Sequence, residues 1–369
     1  MTDKFWKKVA RTIVKAGTIP FPINETMVEF LNTTLNEDQA KFILIFNKRS
    51  LNIDEIKAKT DLDDDSLNKM LHSLMDNGII VKAPSRTTGI MVYRLMGPYP
   101  GILEYSLMRG KTDEKHKKIA RLTEKLFKEL GKSAQNNVES ISKMFKQVPA
   151  VDRTVPVEKQ IEVGTERILP YEELEKYFDE YSKEEHNIAV ANCYCRHQHE
   201  LIDDPCKINA PKMNCFLLDK SARYAIEYGF ANPISKEKAL KICREAEDHG
   251  LVHKVFHIHS DPKRGIEAIC NCCKCCCGIF QMYHRGITPF HTISSYIARV
   301  NEDDCIGCGA CVDKCPMEAL SLEDKISLVD EDRCIGCGIC SHLCPEKAIS
   351  LERTGFRDVY LPLKKIQLK

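Results

Sequence analysis

The chain has 369 residues and a formal net charge of +1, so no overall field draws it toward nucleic acid or a membrane. The longest uninterrupted run of aliphatic and aromatic residues, 42–46, is far too short to cross a bilayer, and the N-terminus has no signal-peptide pattern. We therefore expect a cytoplasmic protein without a membrane span, whose 19 cysteines stay reduced and serve as metal ligands rather than as disulfides.

Residues 1–34 begin with a predicted basic helix. Residues 4–15 hold five Lys and Arg residues and no acidic one, while Phe5, Trp6, Val9 and Ile13 share one helical face. That face is suited to a membrane surface, but a single helix without a second anchor favours packing against the protein itself.

The next segment, 35–98, combines three predicted helices with a hairpin. The helices are predicted over 36–47, 52–60 and 63–77, and the hairpin strands over 79–82 and 91–95. This order resembles a winged helix-turn-helix domain. The resemblance implies either DNA binding or a use of the same fold for protein docking and dimerisation.

Local charge favours docking over DNA binding. A recognition helix meets DNA with its N-terminal residues, and here those are the three aspartates 63–65. Only the expected wing, with Lys82, Arg86 and Arg94, is suited to phosphate. Residues 99–150 follow as a helical linker, with amphipathic helices predicted over 112–131 and 134–147.

Residues 151–299 read as a mixed α/β, cysteine-rich domain. Helices are predicted over 171–181, 219–229 and 235–250, and strands over 187–192 and 251–258. Cys243 falls on the apolar face of the third helix and is expected to be an ordinary core residue.

Two sets of cysteines in this domain are candidate metal ligands. The first set is Cys193, Cys195, Cys206 and Cys215, and the second is Cys270, Cys272, Cys273, Cys275, Cys276 and Cys277. In an extended chain Cys193 and Cys195 would point to one face. Adjacent cysteines diverge, so the six of the second set are expected to divide between two centres, each completed by the first set.

These ten thiols exceed the eight that two cubane clusters would use. We therefore expect one or two further iron–sulfur clusters in this domain, and a non-cubane or enlarged cluster would use the remaining thiols. Structural zinc is the alternative, since four-thiolate zinc sites are common. Arg196 is expected either to offset the negative charge of reduced clusters or to bind an anionic substrate.

The segment 300–352 contains an internal repeat, DCIGCGACVDKCPMEALSL from Asp304 and RCIGCGICSHLCPEKAISL from Arg333. Each copy has the spacing Cys-x2-Cys-x2-Cys-x3-Cys-Pro, which resembles the bacterial two-cluster ferredoxin module. The resemblance implies two [4Fe-4S] clusters. It also implies that the fourth cysteine of each copy crosses to the cluster held by the other copy. The implied ligand sets are Cys305, Cys308, Cys311 and Cys344 for one cluster, and Cys334, Cys337, Cys340 and Cys315 for the other.

The ends of the chain differ in charge. Residues 302–352 contain twelve acidic residues against four basic ones, a net charge of −8, so any docking surface there is expected to be acidic. Residues 353–369 are assigned to a C-terminal tail. The expected fold class is therefore α+β: a winged-helix domain, a helical linker, a mixed cysteine-rich domain and a ferredoxin-like two-cluster domain.

Four motifs resemble an iron–sulfur protein family of anaerobes. They are PYPGILEY at 98–105, RTVPVE at 153–158, CYCR at 193–196 and ICNCCKCCC at 269–277. The resemblance implies an electron-transfer protein or oxidoreductase subunit of anaerobic metabolism, working with a redox partner protein or a larger oxidoreductase complex. The alternative is an iron–sulfur redox-sensing transcriptional regulator that binds DNA. The substrate and the oligomeric state stay open, with a dimer among the alternatives.

Overall fold

The computed structural model describes residues 2–17, 19, 21–85, 87–157, 174–257 and 265–367. Arg86 of the expected wing, residues 158 and 171–173 of two predicted segments, and residue 258 lie outside these ranges. The chain forms two compact units. The first unit consists of Met1–Leu130, His197–Pro205 and Tyr224–Ala231. The second unit consists of Gly131–Arg196, Cys206–Arg223 and Asn232–Lys369. Helices and sheets are mixed in an α+β fold. Within the described residues, every helix is too short or too polar to cross a bilayer.

The first unit combines helices with a small antiparallel sheet. Its elements are α1 (Asp3–Ala16), α2 (Glu25–Thr34), α3 (Glu37–Ile43), β1 (Ser50–Asn52), α4 (Ile53–Lys57), α5 (Asp64–Asp76), β2 (Ile80–Pro84), β3 (Met91–Leu95), α6 (Ile102–Met108) and most of α7 (Glu114–Gln135). The strand order is β1-β3-β2. Sequence analysis did not predict α2, α6 or β1.

Side-chain caps fix where the helices of this unit begin. Asn36 and Asn52 each form a capping box at the start of α3 and α4, and the Asp63 carboxylate accepts a hydrogen bond from the Ser66 N–H at the start of α5. The apolar face of α1, including Trp6 and Ile13, is buried.

The second unit is built on one eight-stranded sheet. Its strands are β4 (Asp152–Val155), β5 (Ile188–Asn192), β6 (Met213–Leu218), β7 (Asn232–Pro233), β8 (Val252–His257), β9 (Ile266–Cys272), β10 (Phe290–Val300) and β13 (Ile349–Leu361), in the order β13-β10-β4-β8-β9-β6-β5-β7. Every neighbouring pair is antiparallel except β4 and β10. A separate hairpin pairs β11 (Leu320–Glu323) with β12 (Ile326–Val329).

The remaining helices follow in chain order. They are α8 (Val138–Lys146), α9 (Leu174–Tyr181), α10 (Tyr194–Leu201), α11 (Asp219–Glu227), α12 (Lys236–Asp248), α13 (Gly278–His284), α14 (Ala310–Lys314) and α15 (Ile339–His342). Most of α10 and part of α11 belong to the first unit. The expectation that Cys193 and Cys195 lie in an extended chain was wrong, because α10 begins at Tyr194, between them.

The ferredoxin-like repeat is framed by strands of this same sheet. The antiparallel register of β10 and β13 runs from Phe290 opposite Leu361 to Val300 opposite Ile349. The expected boundary at 299/300 therefore falls at the end of β10, and the expected tail from 353 instead continues β13 to Leu361. Burial alternates along much of β13, so one face of this edge strand packs on the protein while the other is exposed.

One glycine in the repeat allows a close approach to β10. Gly336 has φ +59, and a Cβ there would lie 2.1 Å from the Tyr296 carbonyl oxygen. Gly355 also has a positive φ, +73, but a Cβ there would meet no atom within 4 Å. Substitution by alanine at the two positions therefore separates the cost of a left-handed backbone conformation, present at both, from the cost of a steric clash, present only at Gly336.

We expect Gly355→Ala to lower the free energy of unfolding by about 1–2 kcal/mol, the cost of a left-handed conformation for alanine. Gly336→Ala should add roughly 1–3 kcal/mol to that cost, because the methyl group collides with the backbone of β10. Anaerobic denaturant unfolding of both variants measures the difference. Equal destabilisation would contradict the close packing of the loop on β10.

Candidate metal centres

Six cysteines of the cysteine-rich region form one contiguous group, here called the six-thiol group. Its thiols contact one another in the order Cys195, Cys193, Cys215, Cys270, Cys272 and Cys277. Strand geometry explains part of this arrangement, because Cys270 and Cys272 are alternate residues of β9 and Cys215 of β6 lies opposite Cys270. The backbone N–H of Gly278, at the start of α13, donates to the Cys195 sulfur over 3.2 Å.

The remaining four cysteines form a second cluster, here called the four-thiol group. Its members are Cys206, Cys273, Cys275 and Cys276, and their sulfur atoms all lie within 4.8 Å of one another. Cys206 belongs to the irregular segment between α10 and β6, and the other three belong to the turn between β9 and α13. The run 270–277 thus contributes three thiols to each group.

Burial and neighbouring sulfur atoms shift the pKa values of these thiols in opposite directions. Contacts with Cys195 and Cys215 lower the pKa of Cys193 below its usual range. In the four-thiol group, Cys273 and Cys276 lower the pKa of Cys275 to about 3, while Cys273 and burial raise that of Cys206 to about 12. A bound cation would replace the protons of these thiols.

The eight cysteines of the repeat line two cavities. A cavity of about 350 Å³ is lined by Cys305, Cys308, Cys311 and Cys344. A second cavity, of about 380 Å³, is lined by Cys315, Cys334, Cys337 and Cys340. Each cavity therefore has three cysteines from one copy of the repeat and the fourth from the other.

The backbone is shaped to aim donors at these sulfur atoms. Gly309 and Gly338 adopt left-handed conformations at the start of α14 and α15, which lets each loop turn tightly round its cavity. The Ala319 N–H donates to the Cys315 sulfur over 3.3 Å, and the Ala298 N–H of β10 donates to Cys334 over 3.5 Å. Thiolates bound to iron accept hydrogen bonds from backbone N–H groups of this kind.

Comparison with known proteins agrees with this geometry. Residues 298–351 match the family described as 4Fe-4S dicluster domain. This segment is a ferredoxin-type dicluster domain. A "Probable ferredoxin" of Methanosarcina thermophila is 61% identical over 28 residues, which are 8% of this chain and 48% of that protein. The chain thus spans about half the length of that relative. No solved structure matches this chain.

The match identifies residues 298–351 as an iron–sulfur segment of the ferredoxin type. The cavities fit iron–sulfur clusters, because four cysteines line each of them and backbone N–H groups donate to Cys315 and Cys334. Burial raises the pKa of Cys337 to about 12. Iron would supply the positive charge that the thiolates need.

The dicluster domain and the six-thiol group share one apolar core. Cys272 and Cys277 belong to the same buried cluster as the dicluster cysteines Cys311, Cys315, Cys334, Cys337 and Cys340. Phe280 and Phe290 stack in this core with their ring centroids 5.8 Å apart. The four-thiol group lies in a different apolar cluster, with Ala210, Ala246 and Leu251.

Arg196 is the buried cation beside both thiol groups. Its side chain is 2% exposed, and its Nη1 lies 3.2 Å from the Asn271 carbonyl oxygen and 3.7 Å from the Cys273 sulfur. Burial opposes its charge, yet the thiolates of Cys193 and Cys215 raise the pKa of Arg196 above the ordinary arginine value. The guanidinium therefore compensates negative charge that the core could not otherwise hold.

Sequence analysis missed a second buried cation. Lys254 of β8 lies opposite Cys270 in the β8–β9 pairing and is fully buried. Its Nζ is 2.5 Å from an Asp152 carboxylate oxygen and 3.0 Å from Thr292 Oγ1. A lysine within the apolar strand VHKVFH was the signal for this site. Cys243, by contrast, lies in the apolar core as the sequence predicts.

We expect Arg196→Gln to lower the free energy of unfolding by about 3–5 kcal/mol, because it leaves buried thiolates without a compensating cation. Arg223 is the matched control, since its side chain is 42% exposed and its ion pairs with Glu184 and Asp219 are solvated. Arg223→Gln should cost less than about 1 kcal/mol. Anaerobic denaturation compares the two, and similar losses would contradict a charge-compensating role for Arg196.

Proposed function

We propose that this protein is an electron-transfer protein or oxidoreductase subunit of anaerobic metabolism, in which the dicluster domain and the six-thiol group act as successive redox sites. The observation that carries this proposal is the apolar core containing cysteines of both. A redox-sensing regulator would need a responsive cluster but not a dicluster domain packed against further metal ligands.

We assign the cluster ligands from the lining of the two cavities. Cys305, Cys308, Cys311 and Cys344 would hold one [4Fe-4S] cluster, and Cys334, Cys337, Cys340 and Cys315 the other. When bound, such clusters supply one-electron transfer at potentials set by hydrogen bonds and exposure. The chain's own part is to hold the sulfur atoms, donate N–H groups to them and exclude water.

The six-thiol group is proposed to hold a further iron–sulfur centre. Soft thiolate ligands select such clusters, and six thiols exceed the four that a single cubane uses. Arg196 is buried and brings positive charge to these ligands, whereas the charge of the fully buried Lys254 is offset by Asp152. This chemistry suits an extended or non-cubane iron–sulfur centre.

The first cavity is the proposed entry point for a redox partner. Cys308 is exposed and Ile306 beside it is 61% exposed, whereas Cys315, Cys334, Cys337 and Cys340 of the second cavity are all buried. Glu302, Asp303 and Asp304 are exposed beside this opening. A partner protein with a basic surface round its own redox group would fit there.

Electron uptake tests this proposal. The anaerobic wild-type protein should accept more than the roughly two electrons that two cubanes take up, one each. Cys272→Ser should bring the total down to about two, because it breaks the six-thiol group without touching a dicluster ligand. Cys243→Ser is the matched control and should retain full uptake. If the wild type accepted only the two electrons of the dicluster domain, the six-thiol group would be structural and the proposal would fail.

We further propose that residues 35–98 form a winged helix used for protein docking or dimerisation. The order α3, β1, α4, α5, β2 and β3 supports the fold. The three aspartates 63–65 are exposed at the start of α5, and a carboxylate oxygen of Asp64 lies 2.5 Å from Lys57 Nζ. This negative end is unsuited to phosphate and suited to a basic protein surface.

An anaerobic DNA-selection experiment with salt titration tests the docking role. We expect weak binding without sequence preference, because the end that would read bases carries three carboxylates. Lys82 is exposed on β2 of the wing and provides the variant Lys82→Glu. Selective binding by the wild type that this variant abolishes would instead make the protein a DNA-binding regulator.

A further inference from the structure

The sulfur atoms of the four-thiol group have the spacing of ligands round a single metal ion. Cys206 Sγ lies 3.9 Å from Cys273 Sγ and 3.7 Å from Cys275 Sγ. Cys275 Sγ is also 3.7 Å from Cys276 Sγ. Four thiolates about 2.3 Å from one tetrahedral ion lie about 3.8 Å apart. The distances therefore match that geometry.

The same spacing is too tight for a cubane. In a [4Fe-4S] cluster each thiolate binds a different iron at a corner, so the thiolates are held farther apart than round one ion. The dicluster domain provides an internal comparison. Among the residues that the structure describes, the four-thiol group is the one set of Cys, His, Asp or Glu side chains whose ligand atoms all lie within 4.8 Å of one another. No three of the described dicluster cysteines have sulfur atoms this close together.

Hydrogen-bond donors round the group are suited to a compact anionic centre. The backbone N–H groups of Ile208 and Ala210 lie near the Cys206 sulfur and that of Lys207 near the Cys275 sulfur, where they favour the thiolate forms by lowering the thiol pKa. Arg196 Nη1 lies 3.7 Å from the Cys273 sulfur. Four thiolates and one divalent cation leave a net negative charge, which these donors and the guanidinium stabilise.

The position of the group separates it from the redox core. It packs with Ala210, Ala246 and Leu251, whereas Cys272 and Cys277 of the six-thiol group pack with the dicluster cysteines. It also joins two segments without regular structure, the one between α10 and β6 and the turn after β9. A closed four-thiolate site is typical of ions that fix chain segments rather than react.

We propose that Cys206, Cys273, Cys275 and Cys276 bind one tetrahedral metal ion, zinc or ferrous iron, as a closed structural site separate from the six-thiol group. This goes beyond the electron-transfer function and does not depend on it. The sulfide-bridged iron of the protein then belongs to the dicluster domain and the six-thiol group.

Metal and acid-labile sulfide analysis of the full-length, anaerobically purified protein tests the proposal. Cys206→Ser should lose one zinc or one iron per chain and no inorganic sulfide, because a single ion has no bridging sulfide. Cys243→Ser, the matched control, should lose neither. Loss of several irons together with sulfide in Cys206→Ser would overturn the proposal in favour of a cluster.

If Cys206→Ser does not fold, the wild-type protein still decides the question. For zinc, X-ray absorption at the zinc edge should show four sulfur neighbours at about 2.3 Å and no neighbouring metal. For iron, Mössbauer spectroscopy should show one iron per chain with the signature of isolated tetrahedral thiolate ligation. A wild-type protein with neither signal, and with all its iron in sulfide-bridged clusters, would overturn the proposal.

Discussion

Holding many thiolates inside a protein core is the constraint on which the second unit depends. A buried thiolate is costly unless a cation or hydrogen-bond donors compensate its charge. The structure supplies the guanidinium of Arg196 beside both upstream thiol groups, and backbone donors from Gly278, Ala298 and Ala319. Burial raises the pKa of Cys337 to about 12, so a thiolate there needs further positive charge nearby. Iron–sulfur clusters would supply that missing positive charge.

The eight-stranded sheet turns this local chemistry into a connected arrangement. Strand β9 carries Cys270 and Cys272, and β10 donates a backbone N–H to Cys334 of the dicluster domain. The pair Lys254–Asp152 is buried between β8 and β4, which lie between those two strands in the sheet order. The dicluster domain is therefore continuous with the cysteine-rich region through the sheet, and one core can serve several redox sites.

Sequence analysis predicted the features that local spacing encodes. The repeated Cys-x2-Cys-x2-Cys-x3-Cys spacing identified the dicluster segment, because three of the cysteines that line each cavity come from one tight loop. Helices α5 and α12 were predicted within one or two residues of their observed ends, since caps and apolar periodicity mark them. The alternating pattern of β13 was overlooked because charged residues and Gly355 interrupt it.

The division of the ten upstream cysteines could not be derived from spacing. Cys193 and Cys195 share a group although a helix begins between them, and Cys206 joins a turn that follows it by 67 residues. Both facts depend on how β5, β6 and β9 pair. The role of Lys254 was missed for a similar reason. Its partner Asp152 lies on β4, which begins 100 residues before β8 in the chain and pairs with it only in the folded sheet.

The central claim is that the dicluster domain and the six-thiol group hold redox centres within one core. Electron paramagnetic resonance of the fully reduced, anaerobic protein tests it most directly, because paramagnetic centres in one core broaden and relax each other's signals. We predict that the dicluster signals of Cys272→Ser will be narrower and slower to relax than those of the wild type, while Cys243→Ser matches the wild type. Identical dicluster signals in wild type and Cys272→Ser would contradict the account.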